Sequence, residues 1–270
     1  MSDSRKKVNV LTIAGSDPSS GAGLQGDLQT ILAFGATPFS VVTAVTSQNT
    51  KEMKGVQSVD VDMVIDQLLA IAEDFSIHAI KMGLLPSPDC VEAVAKIVAN
   101  QWHNIPIVID PVLNSSTGKA LVESGTHEAY IKHLLPIATL VTPNKMEAEI
   151  LSGQSIGSLA EAGHAGRKLL ESGVQACLVK GGHFTDDHAT DVLLTKSECY
   201  EIKGESVKHY DVHGTGCALA SAIACELARG SKLKIAVERG KNYITKAIQQ
   251  SFSLGSGSRH LEHFPDLEQS

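Results

Sequence analysis

Aromatic side chains are scarce in this sequence: they make up 4% of its 270 residues, with a single tryptophan. The 43% hydrophobic content is therefore mostly aliphatic, which suits helices packed on a Val/Ile/Leu sheet. Positive charge is also in short supply. Lys and Arg number 23 against 30 Asp and Glu, a formal charge of -7, which argues against nucleic acid or an anionic membrane as the main partner. No run of 18 apolar residues occurs, so no membrane span is expected. The opening MSDSRKK leads into only a short apolar stretch, which reads as a first strand and not as a signal peptide. The five cysteines (Cys90, Cys177, Cys199, Cys217, Cys225) are odd in number, scattered, and form no C-x-x-C pair. That disfavours zinc and a disulfide framework and fits a reducing cytoplasm. The eleven histidines contain no H-E-x-x-H, and His260 and His263 lie in a polar tail and read as surface residues. No G-x-x-x-x-G-K-S/T occurs, which excludes a P-loop nucleotidase.

What is present alternates. Val8–Ala14, Phe39–Thr46, Ala79–Met82, Ile105–Ile109, Leu140–Thr142 and Ala176–Lys180 are short, nearly continuous apolar runs, the pattern of buried parallel strands. Between them, helical periodicity covers Asp27–Phe34, Val64–Phe75, Pro88–Ala99, Glu128–Leu135, Ala160–Ser172 and Ile235–Ser251. Val56–Val61 reads as a short edge strand, Asp191–Thr195 and Glu198–Ile202 as a hairpin, and Gly255–Arg259 as a flexible exit. The expectation is one α/β domain, a doubly wound, mostly parallel sheet flanked by helices, with its core over about 8–250 and a polar C-terminal tail. In such sheets ligands bind beyond the carboxyl ends of the strands. Those ends carry Gly15-Ser16-Asp17, Gln48, Lys81-Met82-Gly83, Asp110-Pro111, Asn144 and Lys180-Gly181-Gly182.

The stretch from Tyr210 to Ala228, YDVHGTGCALASAIACELA, organises the chain. Gly214-Thr215-Gly216 precedes a helix rich in alanine and leucine. The unpaired N–H groups and partial positive charge of its first turn make the junction an anion site. Cys217 falls in that turn, where a thiol is expected to shift toward thiolate. An anion hole beside a proton acceptor is what phosphoryl transfer to an alcohol requires. The plainer alternative is a glycine turn before a core helix with a small buried cysteine.

The other motifs also admit two readings each. Gly21 to Gly26 matches G-x-G-x-x-G, but Ser16 to Ser20 separate it from the strand and Asp17 and Asp27 flank it, so a dinucleotide site is rejected. An acid receiving hydrogen bonds from a neutral ring or a hydroxymethyl group suits this loop better. Asn144 and Glu147 share a helical face and would organise Mg2+ and its waters near phosphates, or else form an N-cap with a first-turn glutamate. Asp110 is a second acid for the metal or a turn former. Lys180 is a phosphate contact or an exposed strand-end charge. Gln48 offers a donor and an acceptor to a heteroaromatic ring edge, or sits in a solvated loop.

AGSDPSSGAGLQGDLQT, TAVTSQNT, VIDPVL, TPNKMEAEIL, LVKGGH and HGTGCALASAIA follow the order and spacing of the bacterial hydroxymethylpyrimidine/phosphomethylpyrimidine kinases of thiamine biosynthesis. The sequence resembles that family, of the ribokinase-like superfamily, from about Val8 to Ile248. The resemblance implies an anion hole at Gly214, Thr215 and Gly216, with Cys217 as the proton acceptor where sugar kinases carry aspartate. It implies that Asn144 and Glu147 position Mg–ATP, with Asp110 near the metal and Lys180 and Gly182 near the nucleotide. Gly15, Asp27, Gln48 and Val112 would line the pyrimidine site. It further implies two ATP-dependent phosphorylations, first of the hydroxymethyl group and then of the monophosphate, and a homodimer. Two positions depart from the family pattern: Ser20-Gly21 stands for two glycines, and Ser116 takes the place of a lysine, with Lys119 nearby. The rival readings are a pyridoxine or pyridoxal kinase and a non-catalytic pyrimidine sensor.

Overall fold

A computed structural model describes residues 7–114, 121–181, 190–205, 207 and 211–265. Its spine is a nine-stranded sheet in the order β3-β2-β1-β4-β5-β6-β7-β8-β9. The parallel centre comprises β1 (Asn9–Ser16), β2 (Thr37–Gln48), β4 (Ala79–Met82), β5 (Ile107–Ile109), β6 (Leu140–Val141) and β7 (Ala176–Val179). The antiparallel strand β3 (Met53–Ser58) closes one edge, and the hairpin β8 (Asp191–Thr195) and β9 (Cys199–Ile202) closes the other. The chain leaves β1 toward β2 on one side and returns to lay β4 on the other. A crevice therefore opens beyond the ends of β1 and β4.

Side-chain alternation along the strands sorts the core into two layers. Leu11, Ile13, Ile80 and Met82 point to the side covered by α2 (Val61–Asp74), α3 (Pro88–Gln101), α5 (Lys145–Ser152) and α6 (Leu159–Leu170). Val10, Ala79, Val108 and Leu178 face α1 (Gly23–Ala33), α7 (Thr215–Ala228) and α8 (Leu233–Gln249). In α7 every residue from Ala218 to Leu227 is buried. Four alanines there let the backbone lie close to both the sheet and α8. Side-chain caps begin the flanking helices: Asp60 on α2, Ser87 on α3 and Ser158 on α6 each accept from a first-turn N–H.

The sequence expectations hold for these elements, with most ends shifted by one or two residues; α1 starts four residues earlier than expected, α2 three earlier, and β3 is displaced by three at each end. One helix differs. The stretch expected to be helical over Glu128–Leu135 is a short α4 (Thr126–Ala129), then a π-turn (Tyr130–Leu134), then a 3-10 turn (Leu135–Ile137). Pro136 has no N–H to donate, so the regular ladder cannot run on.

Candidate active site

A cavity of about 630 Å3 occupies the crevice. At one end lies the N-terminus of α7. Gly214 has φ 84°, and a Cβ there would fall 1.9 Å from the Gly21 carbonyl oxygen, so only glycine brings the two loops this close. No side chain caps this helix, which leaves first-turn N–H groups without an intrahelical partner on the cavity wall. At Gly216 a Cβ would stand 3.0 Å from Lys180 Nζ and about 3.5 Å from the Asp110 carboxylate oxygens. The missing side chain is space held open between a helix terminus, a cation and an acid.

Asp110, at the end of β5, pairs with Lys180 Nζ at 2.8 Å. Burial would raise the Asp110 carboxyl, but Lys180 and then Lys81 hold it below the usual range. Glu147 faces the same space in a capping box, its carboxylate accepting from the Asn144 N–H at 2.8 Å while Asn144 Oδ1 accepts from the Glu147 N–H at 2.9 Å. The capping arrangement of Asn144 and Glu147 is therefore present, and both residues also line the cavity. Burial and then the repulsion of Asp110 push Glu147 up to about 7, against the pull of Lys180. Two acids thus share one lysine, a set short of positive charge. Its two carboxylates fit a divalent cation that keeps several of its own waters.

Cys217 lines the cavity beside this set. Its thiol departs from the expected thiolate: burial pushes it up to about 12, Asp110 and Asp27 add to the rise, and Lys81 and the Gly23 N–H pull against it. Desolvation and two carboxylates outweigh the helix terminus. Lys81 itself, at the end of β4, is fully buried and ion-paired with Asp27 Oδ2 at 2.7 Å. The period of the sheet explains its place, since Lys81 alternates with Ile80 and Met82 and so points under α1 and α7. Burial would lower the Lys81 ammonium, but Asp27, Cys217 and Asp110 together hold it well above its usual range.

Asp27 does not line the cavity as expected. It is wholly buried in the floor, where its oxygens take Thr12 Oγ1 at 2.6 Å, Lys81 Nζ at 2.7 Å and Ser221 Oγ at 2.9 Å. An acid with three internal donors is committed to holding Lys81. Of the two acids flanking this loop, Asp17 is the one that lines the cavity. Its Oδ1 accepts from the Ser19 amide at 2.9 Å and the Ser19 hydroxyl at 2.7 Å, and its Oδ2 from the Ala22 amide at 2.9 Å. His213 Nε2 lies 3.2 Å from Oδ2 and 2.5 Å from Gln48 Nε2. Burial would raise Asp17, but His213 and then Ser19 hold it at about 2. Gly15, Gln48 and Val112 share this end of the cavity, with Val112 packed in a small apolar cluster with Leu84, Leu121 and Met53. Gly182, Ser116 and Lys119 lie outside the described residues.

The family model described as phosphomethylpyrimidine kinase matches residues 17–262. The chain belongs to that family. It is 40% identical over 254 residues to a hydroxymethylpyrimidine/phosphomethylpyrimidine kinase of Streptomyces coelicolor, covering 94% of this chain and 93% of that one. The crystal structure of phosphomethylpyrimidine kinase from Clostridium difficile matches at TM-score 0.79 and 36% identity over 90% of this chain and 100% of that one. Pyridoxal kinase of Bacillus subtilis, solved as an ADP complex, matches at TM-score 0.87 and 31% identity over 95% and 97%.

In this kinase the segment read as a flexible exit is anchored. Ser258 N donates to the Thr50 carbonyl at 2.8 Å, Arg259 N to the Asp211 carbonyl at 2.8 Å, and His213 N to the Arg259 carbonyl at 3.0 Å. Ser256, Gly257 and Ser258 line the cavity. His260 and His263, read as surface residues, are buried: His260 Nε2 meets the Ser19 carbonyl at 2.9 Å, and His263 Nδ1 meets Thr30 Oγ1 at 3.1 Å. Serine and glycine composition carries no sign of such distant partners. Asp17, Lys81 and His213 were also unassigned from sequence. Their signals were a strand end for Lys81, a strand end and the flank of the Gly21–Gly26 loop for Asp17, and the position before the glycine pair for His213.

Proposed function

We propose that this kinase phosphorylates 4-amino-5-hydroxymethyl-2-methylpyrimidine and then its monophosphate, using Mg–ATP, in thiamine biosynthesis. The observation that carries the reading is one cavity with two chemically distinct ends. An uncapped α7 terminus, Lys180 and Cys217 stand at one, and Gln48, His213 and Asp17 at the other. The first end suits a phosphoryl group and the second a polar heteroaromatic ring. The homodimer implied by the resemblance belongs to the same reading.

Asp110 and Glu147 would hold the divalent cation, whose charge offsets that of the nucleotide phosphates. The N–H groups of Thr215 and Gly216 and the ammonium of Lys180 receive the negative charge that spreads over the transferred phosphoryl oxygens. Cys217 takes the proton of the substrate hydroxymethyl group as the oxygen attacks. Its own thiol proton would first pass to solvent in the open cavity that Cys217 lines, and Lys81 and the Gly23 N–H are the groups that stabilise the resulting thiolate. Lys81 is fixed in place by Asp27, so this charge needs no rearrangement during the reaction.

A coupled ADP-release assay with Mg–ATP tests the reading on hydroxymethylpyrimidine, its monophosphate and pyridoxal. Turnover of both pyrimidines is expected. Turnover of pyridoxal alone would move the chain to the second reading, a vitamin B6 kinase, which the likeness to the Bacillus subtilis enzyme favours. No turnover of any of the three would leave a binding protein.

A further inference from the structure

The two groups that meet a transferred phosphoryl belong to separate elements. Lys180 follows β7 in the sheet, and the α7 terminus belongs to a helix layer. A Cβ at Gly216 would be 3.0 Å from Lys180 Nζ, so both border one small space. Their spacing has to be held, because a misplacement of about 1 Å costs about a hundredfold in rate.

Asp110 fixes the head of the Lys180 side chain at 2.8 Å. Its root is fixed by the backbone. The Lys180 N–H donates to the Pro143 carbonyl at 2.9 Å. The Gly181 N–H lies past the last β7–β8 pair, Val179 with Val192, and donates instead to Asp191 Oδ1 at 2.8 Å. Asp191 Oδ2 accepts from Lys241 Nζ of α8 at 2.6 Å. Both side chains are nearly closed off from solvent, and neither lines the cavity. Beside Lys241, α8 is pressed on α7: a Cβ at Gly240 would stand 2.9 Å from Ile223 Cγ1 and 3.3 Å from Leu219 Cδ1. A continuous path therefore runs from the Lys180 backbone through Asp191 and Lys241 to α7. A buried ion pair is a poor source of stability, since apolar residues of similar volume serve as well. The geometry gives this one another use.

We propose that Asp191, tied to Lys241, is a positioning residue that holds Lys180 at its working distance from the α7 terminus. It lies outside the cavity and acts on phosphoryl transfer only through Lys180. The inference rests on the kinase reading above for what Lys180 does.

A double-mutant cycle on turnover tests it, run with whichever acceptor the wild-type protein uses and with radiolabelled ATP to follow the slow variants. Asp191→Asn keeps the volume and an acceptor for the Gly181 N–H but removes the charge that holds Lys241. It is expected to lower kcat about tenfold and to leave KM for the acceptor within about twofold, because that ligand sits at the other end of the cavity. In a Lys180→Met background the same substitution is expected to cost less than about twofold, since the group it positions is gone. A carboxylate that merely supports the fold would cost the same factor in both backgrounds. That result overturns the proposal, as does a wild-type kcat in Asp191→Asn. If Asp191→Asn does not fold, Lys241→Met cuts the same tie and its cycle is read the same way. A wild-type protein that transfers phosphate to neither hydroxymethylpyrimidine nor pyridoxal overturns the kinase reading and this inference together. An active one with equal losses in the two backgrounds overturns the inference alone.

Discussion

The ion pair between Lys81 and Asp27 can be tested by removing one charge at a time. Both side chains are completely shielded from solvent, and their nearest atoms are 2.7 Å apart. Asp27→Asn keeps the volume and can still meet the Thr12 and Ser221 hydroxyls, so it isolates the loss of charge. An ammonium left buried without its counterion costs about 3–5 kcal/mol. For a chain of this size each kcal/mol moves the melting temperature by about 2–4 °C, so Tm should fall by roughly 6–20 °C. Lys81→Met should cost a similar amount, since it strands the carboxylate. The double variant Asp27→Asn/Lys81→Met strands neither, and should lose far less than the two single costs together. Turnover separates the two residues further: it should stay low in the double variant despite its recovered stability, because the cation that most favours the Cys217 thiolate is gone. Urea denaturation of the three variants and the wild type supplies the cycle. Single costs below about 1 kcal/mol, or a double cost equal to the sum, would refute the claim that this floor is held by charge.

Three further outcomes are expected. Cys217→Ala should lower turnover by about a hundredfold or more while nucleotide affinity, measured by calorimetry, stays near wild type. An unchanged rate would remove the thiol from its role as proton acceptor. Gly214→Ala demands φ 84° of an L-residue and drives its methyl into the Gly21 carbonyl, so the α7 terminus should be displaced and kcat should fall by about a hundredfold or more. His263 is held near 4 by burial, below its ordinary 6.5, so its neutral form contributes stability that is present above 6.5 and lost as pH falls toward 4. Urea midpoints at pH 7 and pH 5 should therefore differ less in His263→Phe than in the wild type, and an equal difference in both would place the pH dependence elsewhere.

The sheet was legible because buried parallel strands write themselves as short aliphatic runs, and Ala79–Met82 or Ala176–Val179 need no distant information. The α7 terminus was legible for the same local reason, a glycine pair before an alanine-rich helix. What stayed hidden depends on partners far along the chain. Asp17 and Asp27 flank one loop as near equivalents in sequence. Only the packing of β4 and α7 sends Asp27 down to Lys81 and leaves Asp17 for His213. The Cys217 thiol was misjudged because a helix terminus is visible in sequence, whereas the two acids and the burial around it are not. The strap Gly255–Arg259 reads as a flexible exit, and its bonds to Thr50 and Asp211, like that of His260 to Ser19, are invisible to any local pattern.

That strap sets an order of assembly during synthesis. His260 closes on the Ser19 carbonyl 241 positions earlier in the chain. At about 5–20 residues per second, a ribosome needs roughly 12–50 s to travel that distance. For that interval the Asp17 loop and the Thr50 turn exist without the segment that later pins both. A nascent chain can therefore form its first strands early and still lack a finished pocket. Competence to bind substrate arrives late in translation, when the tail reaches back to the beginning.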